Sequence, residues 1–271
     1  MLGLPAPASV GFVTGAQAAN TVGLSAARHE VLARAGWDVE TKGLVGAPRV
    51  RVVAGAERHA TVDRSLRLLG LGSDVVEPVR CDANGALDAG HLEAVLAAQE
   101  RGPTILCLQA GNVNTGAFDP LRAACELAKA HGAWVHVDGA FGLWAAASPR
   151  YRHLVDGVEL ADSWGCDGHK WLNLPYDSAF AFCSRPDVHA ASMAYTASYL
   201  VSAASVAAAP RADLCLSNRL PSRILRGVAV QPCGETCRRI RRTDPAYGRI
   251  GCYRDHGASK AHEHAVNGSA I

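Results

Sequence analysis

The chain has 271 residues, 49% hydrophobic, 19% charged and 6% aromatic, with a formal charge of +2. Such a length supports one sizeable core, the composition is too apolar for wholesale disorder, and near-neutrality gives no global argument for a nucleic-acid partner. The charge is uneven: residues 1–209 carry 16 basic against 20 acidic groups, a net −4, whereas residues 210–271 carry 11 against 5, a net +6.

Val10–Val13 is short and β-like and meets Thr14-Gly15-Ala16. Ala19–Ala35 then has helical spacing and stops at Gly36, Arg49–Ala54 is β-branched and strand-like, and Ala60–Leu69 is helical up to Gly70. Asp88–Glu100 is a further amphipathic helix, Thr104–Ala110 a buried strand, and Pro120–His131 a helix closed by Gly132. Trp134–Asp138 and Ser178–Cys183 read as strands. Strands separated by helices of this length predict an α/β fold with a mostly parallel sheet and helices on both faces. In such sheets, ligands bind beyond the strand ends.

Beyond about residue 200 the periodicity is lost. The expected organisation is a large domain over 1–200 and an atypical basic, irregular tail over 201–271. No basic group precedes Arg28, and Pro5 and Pro7 interrupt the opening, so a secretory signal is not expected. Ala190–Pro210 lacks charge but is Ala- and Ser-rich, too weakly apolar for a membrane span. Nine scattered cysteines with no dense framework point to a reducing, cytoplasmic setting. Cys233, Cys237, His262 and His264 imitate a zinc set only loosely, and no metal is expected.

The stretch richest in chemistry is Trp134-Val-His-Val-Asp138-Gly139-Ala140 followed by Asp162-Ser-Trp-Gly-Cys-Asp167-Gly168-His169-Lys170-Trp171. An acidic residue ends an apolar strand, and 32 residues later a lysine follows a histidine in a Gly-containing turn. Taken singly, the carboxylate reads as a helix cap or ion-pair partner and the lysine as a solvated side chain. Lysine is rare here, at 4 against 23 arginines.

Together, in a βαβ context, these residues resemble the pyridoxal 5′-phosphate enzymes of fold type I. The closer resemblance is to the group II amino-acid decarboxylases, which act on aromatic amino acids, glutamate or diaminobutyrate. It extends over about Leu2–Leu200. It implies that Lys170 bonds covalently to the cofactor aldehyde, and that Asp138 pairs with the pyridine nitrogen and keeps it protonated. It further implies that His59 stacks on the ring, Ala140 lets the other ring face approach closely, and His169 contacts the phosphate. The turn Thr14-Gly15-Ala16-Gln17 lies between a strand and a helix, so the backbone N–H groups of Ala16 and Gln17 would meet the phosphate. Asp167 stands where many relatives have asparagine.

In Gly111-Asn112-Val113-Asn114-Thr115, relatives often carry threonine where Val113 stands, and Asn112 or Thr115 would substitute. Tyr199 resembles the mobile-loop tyrosine that delivers a proton to the substrate α-carbon. The expected activity is decarboxylation of a small-molecule L-amino acid to its amine, aromatic as a first guess because Trp171 follows the lysine. The alternatives are another fold type I activity (transamination or C–C lysis) or an inactive remnant.

Relatives extend further at both ends. The resemblance therefore implies an incomplete domain, a homodimer expected for the family yet doubtful for this chain, and a final segment with the character of a shifted reading frame.

Overall fold

The structure, a computed structural model, describes residues 1–98 and 102–193. Tyr199, the tail over 201–271 and the four loosely zinc-like residues lie outside the described residues.

Strand β1 (Ser9–Val13) leads into helix α1 (Ala16–Arg34), followed by the single turn α2 (Val39–Lys42), strand β2 (Arg51–Gly55) and α3 (Ala60–Leu68). Next come β3 (Val76–Val79), α4 (Ala89–Ala97), β4 (Thr104–Gln109), α5 (Leu121–Ala130) and β5 (Trp134–Asp138). After three short 3-10 turns, β6 (Ser163–Asp167), the one-turn α6 (Gly168–Trp171), β7 (Ala179–Cys183) and α7 (Pro186–Met193) complete the described chain. The seven strands form one sheet in the order β1-β7-β6-β5-β4-β2-β3. Strands β3, β2, β4, β5 and β6 run parallel, and β7 pairs antiparallel with both β6 and β1.

Alternation along the strands sorts the core to two faces. Leu106, Leu108, Val135 and Val137 pack with Leu92 and Leu96 of α4 and with Leu121, Ala124 and Ala128 of α5. Ile105, Cys107 and Trp134 point the other way and pack with Leu24, Val31 and Leu32 of α1 and Val62 and Leu66 of α3. Each fully buried leucine contributes on the order of 1.5–3 kcal/mol. His136 and Asp138 are two and four residues beyond Trp134, so they share the α1 face. This parity places the polar end of β5 beneath α1.

Helix stops follow the sequence closely. Past α1, Gly36 takes φ 77° and donates to Ala33 O, while Trp37 N–H reaches Leu32 O, the double closure of a Schellman motif. Gly132, with φ 71°, closes α5 in the same way. Helix α1 begins three residues earlier than the periodicity suggests, because Ala16 and Ala19 are small and buried and the apolar spacing starts only later. Strand β3 contains Pro78 and lies at the sheet edge, where a missing N–H is tolerated. Strand β6, Ser-Trp-Gly-Cys-Asp, has no apolar run, yet all five residues are buried.

Among the described residues, no helix is long and apolar enough to cross a membrane.

Candidate active site

The C-terminal ends of β2, β4 and β5 open on a shallow cleft lined among others by His59, Gln109, Asp119 and Asp138. Asp138, the last residue of β5, lines it and is only 5% exposed. Three donors fix its carboxylate. Ala140 N–H donates to Oδ1 at 3.2 Å, Asn20 Nδ2 donates to Oδ2 at 2.9 Å, and Thr61 Oγ1 donates to Oδ2 at 3.4 Å.

Lys170 arrives from the neighbouring strand. Asp138 pairs with Gly165 in the β5–β6 register, and Asp167 N–H donates to Ala140 O at 3.3 Å. One turn on, in α6, the Lys170 ammonium lies over the Phe141 ring, 4.1 Å from its centroid. Its Nζ is 2.8 Å from Asp167 Oδ2. What the sequence suggests is a Gly-containing turn is thus a single helical turn hung on a parallel strand, and it carries the amine back over the loop that follows Asp138.

His169 brings in the start of α1. A Cβ placed on Gly15 would come 3.6 Å from His169 Cε1, so this imidazole abuts the N-terminus of the helix. The first backbone bond there runs from Ala19 N–H to Gly15 O. The N–H groups of Ala16, Gln17 and Ala18 therefore precede the helical ladder. The Gln17 side chain is turned to α3 instead, donating to Ser65 Oγ at 2.9 Å. Tyr176 stacks on the His169 ring with centroids 4.5 Å apart.

His59 does two things at once. It caps α3, its Nδ1 accepting from Thr61 N–H, and it lines the cleft. Its backbone N–H donates to Gln109 Oε1 at 3.1 Å, and its ring lies 2.9 Å from Thr61 Oγ1. Thr61 thereby joins His59 to Asn20 and Asp138. Asn112 and Thr115 sit on the outer side of the cleft, around Gly85. Asn112 Oδ1 accepts from the N–H groups of Asn114 and Thr115, and its Nδ2 donates to Glu57 O. Thr115 Oγ1 accepts from Ala117 N–H. Both residues are occupied in holding their loop.

Sequence reasoning overlooks Asn20, Thr61, Gln109 and His136. The signal for Asn20 is a polar residue on the small apolar stripe Ala16, Ala19, Gly23 of α1; that for His136 is its period-two relation to Asp138.

Pyridoxal 5′-phosphate is tested against these residues by the polar atoms they leave over. Asp167 Oδ1 and His169 Nδ1 are buried without a hydrogen-bond partner, and both flank Lys170. A phosphate accepts from an imidazole N–H and from the first N–H groups of α1. A pyridinium donates to a carboxylate such as buried Asp138, and an aldehyde takes an amine such as that of Lys170. The donor set fits.

Residues 1–219 match the family model described as the pyridoxal-dependent decarboxylase conserved domain. The chain is 34% identical over 164 residues to an acidic amino acid decarboxylase of Bos taurus, covering 59% of this chain and 31% of that one. It is 36% identical over 156 residues to tryptophan decarboxylase 1 of Oryza sativa subsp. japonica, covering 56% and 30%. Among solved structures, mouse CSAD superposes with a TM-score of 0.67 at 27% identity over 74% of this chain and 42% of that one. Oryza sativa TDC with PLP and tryptamine superposes with a TM-score of 0.67 at 27% identity, over 77% and 44%. The chain thus spans about a third of the length of these curated relatives and less than half of the solved chains. On its residues, its sheet and these matches, the chain belongs to the pyridoxal-dependent decarboxylase family.

Proposed function

We propose that this chain carries the cofactor site of an amino-acid decarboxylase that releases carbon dioxide and an amine. The observation that supports the reading is that Asp138 ends β5 while Lys170 follows the end of the adjacent β6, with Asp167 N–H bonded to Ala140 O and the Lys170 ammonium over Phe141. When bound, pyridoxal 5′-phosphate supplies an electron sink for the pair left behind by the departing carboxylate.

The residues divide that task. Asp138, buried and held by three donors, accepts from the ring nitrogen and keeps the proton there. Lys170 Nζ would be the amine that holds the cofactor aldehyde, and Asp167 Oδ2, 2.8 Å away, is the group within reach to take a proton from it. Ala140 offers a small surface on one side of the ring and His59 a flat one on the other. Ala16 and Gln17, through backbone N–H groups, and His169, through its imidazole, hold the phosphate. Asn112 and Thr115 shape the far wall. Tyr199, outside the described residues, is the proposed proton donor to the substrate α-carbon.

The substrate is a small L-amino acid. Relatives are named for acidic amino acids, cysteine sulfinic acid and tryptophan, and an aromatic substrate rests on Trp171 alone. The exposed apolar side chains Trp171, Leu172 and Tyr176 beside Lys170 support a homodimer that covers them. Among the described residues, five unbridged cysteines support a reducing, cytoplasmic setting.

The test is reconstitution of the purified chain with pyridoxal 5′-phosphate, followed by a panel of aromatic and acidic amino acids. The expected result is a visible band absent from Lys170→Ala, with carbon dioxide and amine in equal amounts. Keto acid in their place would assign transamination, and a chain that takes up no cofactor would mark an inactive remnant.

A further inference from the structure

Behind Asp138, away from the cleft, lies a run of polar side chains in the otherwise apolar layer between the sheet and α1. Trp134 Nε1 is 3.0 Å from Ser163 Oγ, Ser163 Oγ is 2.9 Å from His136 Nδ1, and His136 Nε2 is 3.1 Å from Asn20 Oδ1. Asn20 Nδ2 then lies 2.9 Å from Asp138 Oδ2. Asn20, His136, Ser163 and Trp134 are all fully buried.

The chemistry of the two ends sets the direction of every bond between them. An indole N–H only donates and an ionised carboxylate only accepts. Ser163 therefore accepts from Trp134 and donates to His136 Nδ1. His136 carries its proton on Nε2 and donates to Asn20 Oδ1. The Asn20 amide must then turn its NH2 group to Asp138. Flipping that amide would set its oxygen against the carboxylate and its NH2 against an imidazole N–H. Burial pushes His136 down to about 3, so the ring stays neutral and keeps one donor and one acceptor.

The surrounding backbone is shaped to the chain. A Cβ on Gly23 of α1 would come 2.4 Å from His136 Cε1, and one on Gly165 of β6 would come 2.7 Å from Asn20 Oδ1. Two glycines thus let helix and strand close on these polar groups. Burying four such groups is costly unless each is paired, and a fully paired network fixes one geometry.

We propose that Asn20, His136 and Ser163 are positioning residues for the decarboxylase site: their one-way hydrogen-bond chain aims Asp138 at the pyridine nitrogen of the cofactor. Each bond polarises the next, and the Asn20 amide passes the chain on to Asp138 Oδ2, with its second N–H on Thr61 Oγ1. The inference rests on the reading of Asp138 given above, and its test separates the two.

Dissociation constants are measured on the full chain for pyridoxal 5′-phosphate and for its 1-deaza analogue, in which the ring nitrogen is replaced by C–H. Both carry the aldehyde and the phosphate, so the ratio isolates the Asp138 contact. The wild type is expected to prefer the nitrogen-bearing cofactor by about 10- to 100-fold, the range of a hydrogen bond to a charged group. Asn20→Leu is expected to bring the ratio to within about threefold of unity while leaving analogue binding nearly intact. Ser163→Ala, behind His136, is expected to lower it by a smaller factor of about three to ten. A wild-type ratio near one would overturn the reading of Asp138 itself. A large wild-type ratio that both variants preserve would overturn the positioning chain alone. If Asn20→Leu loses both ligands it has misfolded, and Ser163→Ala then decides: an unchanged ratio overturns the proposal.

Discussion

At Asp119 two backbone N–H groups meet two different carboxylate oxygens: Leu87 N–H donates to Oδ1 at 2.9 Å and Gln109 N–H to Oδ2 at 2.7 Å. Burial pushes this carboxyl up to about 6, and the two N–H groups oppose the shift. An asparagine has one acceptor oxygen, so Asp119→Asn would turn an NH2 group onto one of the two donors. The expected outcome is a loss of about 1–3 kcal/mol in denaturant unfolding, accompanied by weaker cofactor binding, since Gln109 carries the His59 N–H across the cleft. A variant as stable as the wild type would contradict that description.

At Asp138 the expectation is chemical. Asp138→Asn should lower decarboxylation at least about tenfold under saturating cofactor, because an amide is a poor partner for a ring proton. An unchanged rate, read as carbon dioxide release, would remove Asp138 from the mechanism.

Among the elements, α1 closes tightly on β5 at Gly23 and on β6 at Gly165. Gly23→Ala would drive a methyl into the His136 ring, which is held at both nitrogens and cannot give way cheaply. The expected cost is about 1–3 kcal/mol with weakened cofactor affinity, against a gain of up to about 1 kcal/mol for the same change in an open helix. Thermal unfolding decides between the two signs.

These elements and their neighbours mark where the sequence is legible and where it is not. Trp134–Asp138 is a strand in both readings because five residues with an apolar alternate set leave no other choice. Gly36 and Gly132 announce the ends of α1 and α5, since only glycine takes the left-handed turn cheaply. Strand β6 escapes detection because its burial comes from both neighbours in the sheet and from α1, not from its own apolar content. Within the site, Asp138, Lys170 and His169 are visible as a spaced motif. Asn20 and Thr61 are not, because their importance arises only when α1 and α3 pack over β5. Asn112 and Thr115 lie in a loop beside Gly85, and the hydrogen bonds of Asn112 Oδ1 and Thr115 Oγ1 turn inward to the loop itself.

At the scale of the molecule, buried groups that include His136, His189 and Asp119 bear on stability in acid. Burial holds His136 at about 3 and His189 at about 4, below their ordinary 6.5. Between those values the unfolded chain binds more protons, so stability falls as pH drops below about 6.5. The slope is up to about 1.4 kcal/mol per pH unit for each histidine. Asp119 acts in the opposite sense. Its value of about 6 lies above the ordinary 3.8, so its contribution is greatest at low pH and is lost as pH rises through that interval. The Asp119→Asn variant, deprived of this offset, should lose stability on acidification more steeply than the wild type. Parallel unfolding curves at several pH values check it, and a shallower slope would contradict the assignment.

The whole account turns on Lys170, and the chain offers a sharp way to ask about it, because it contains only four lysines. Borohydride reduction of the reconstituted protein makes the bond between lysine and cofactor permanent, and peptide mass spectrometry then locates the label. The account predicts a pyridoxyl group on Lys170 alone. Label on Lys42, Lys129 or Lys260 in its place, or no label at all on folded protein, would contradict it.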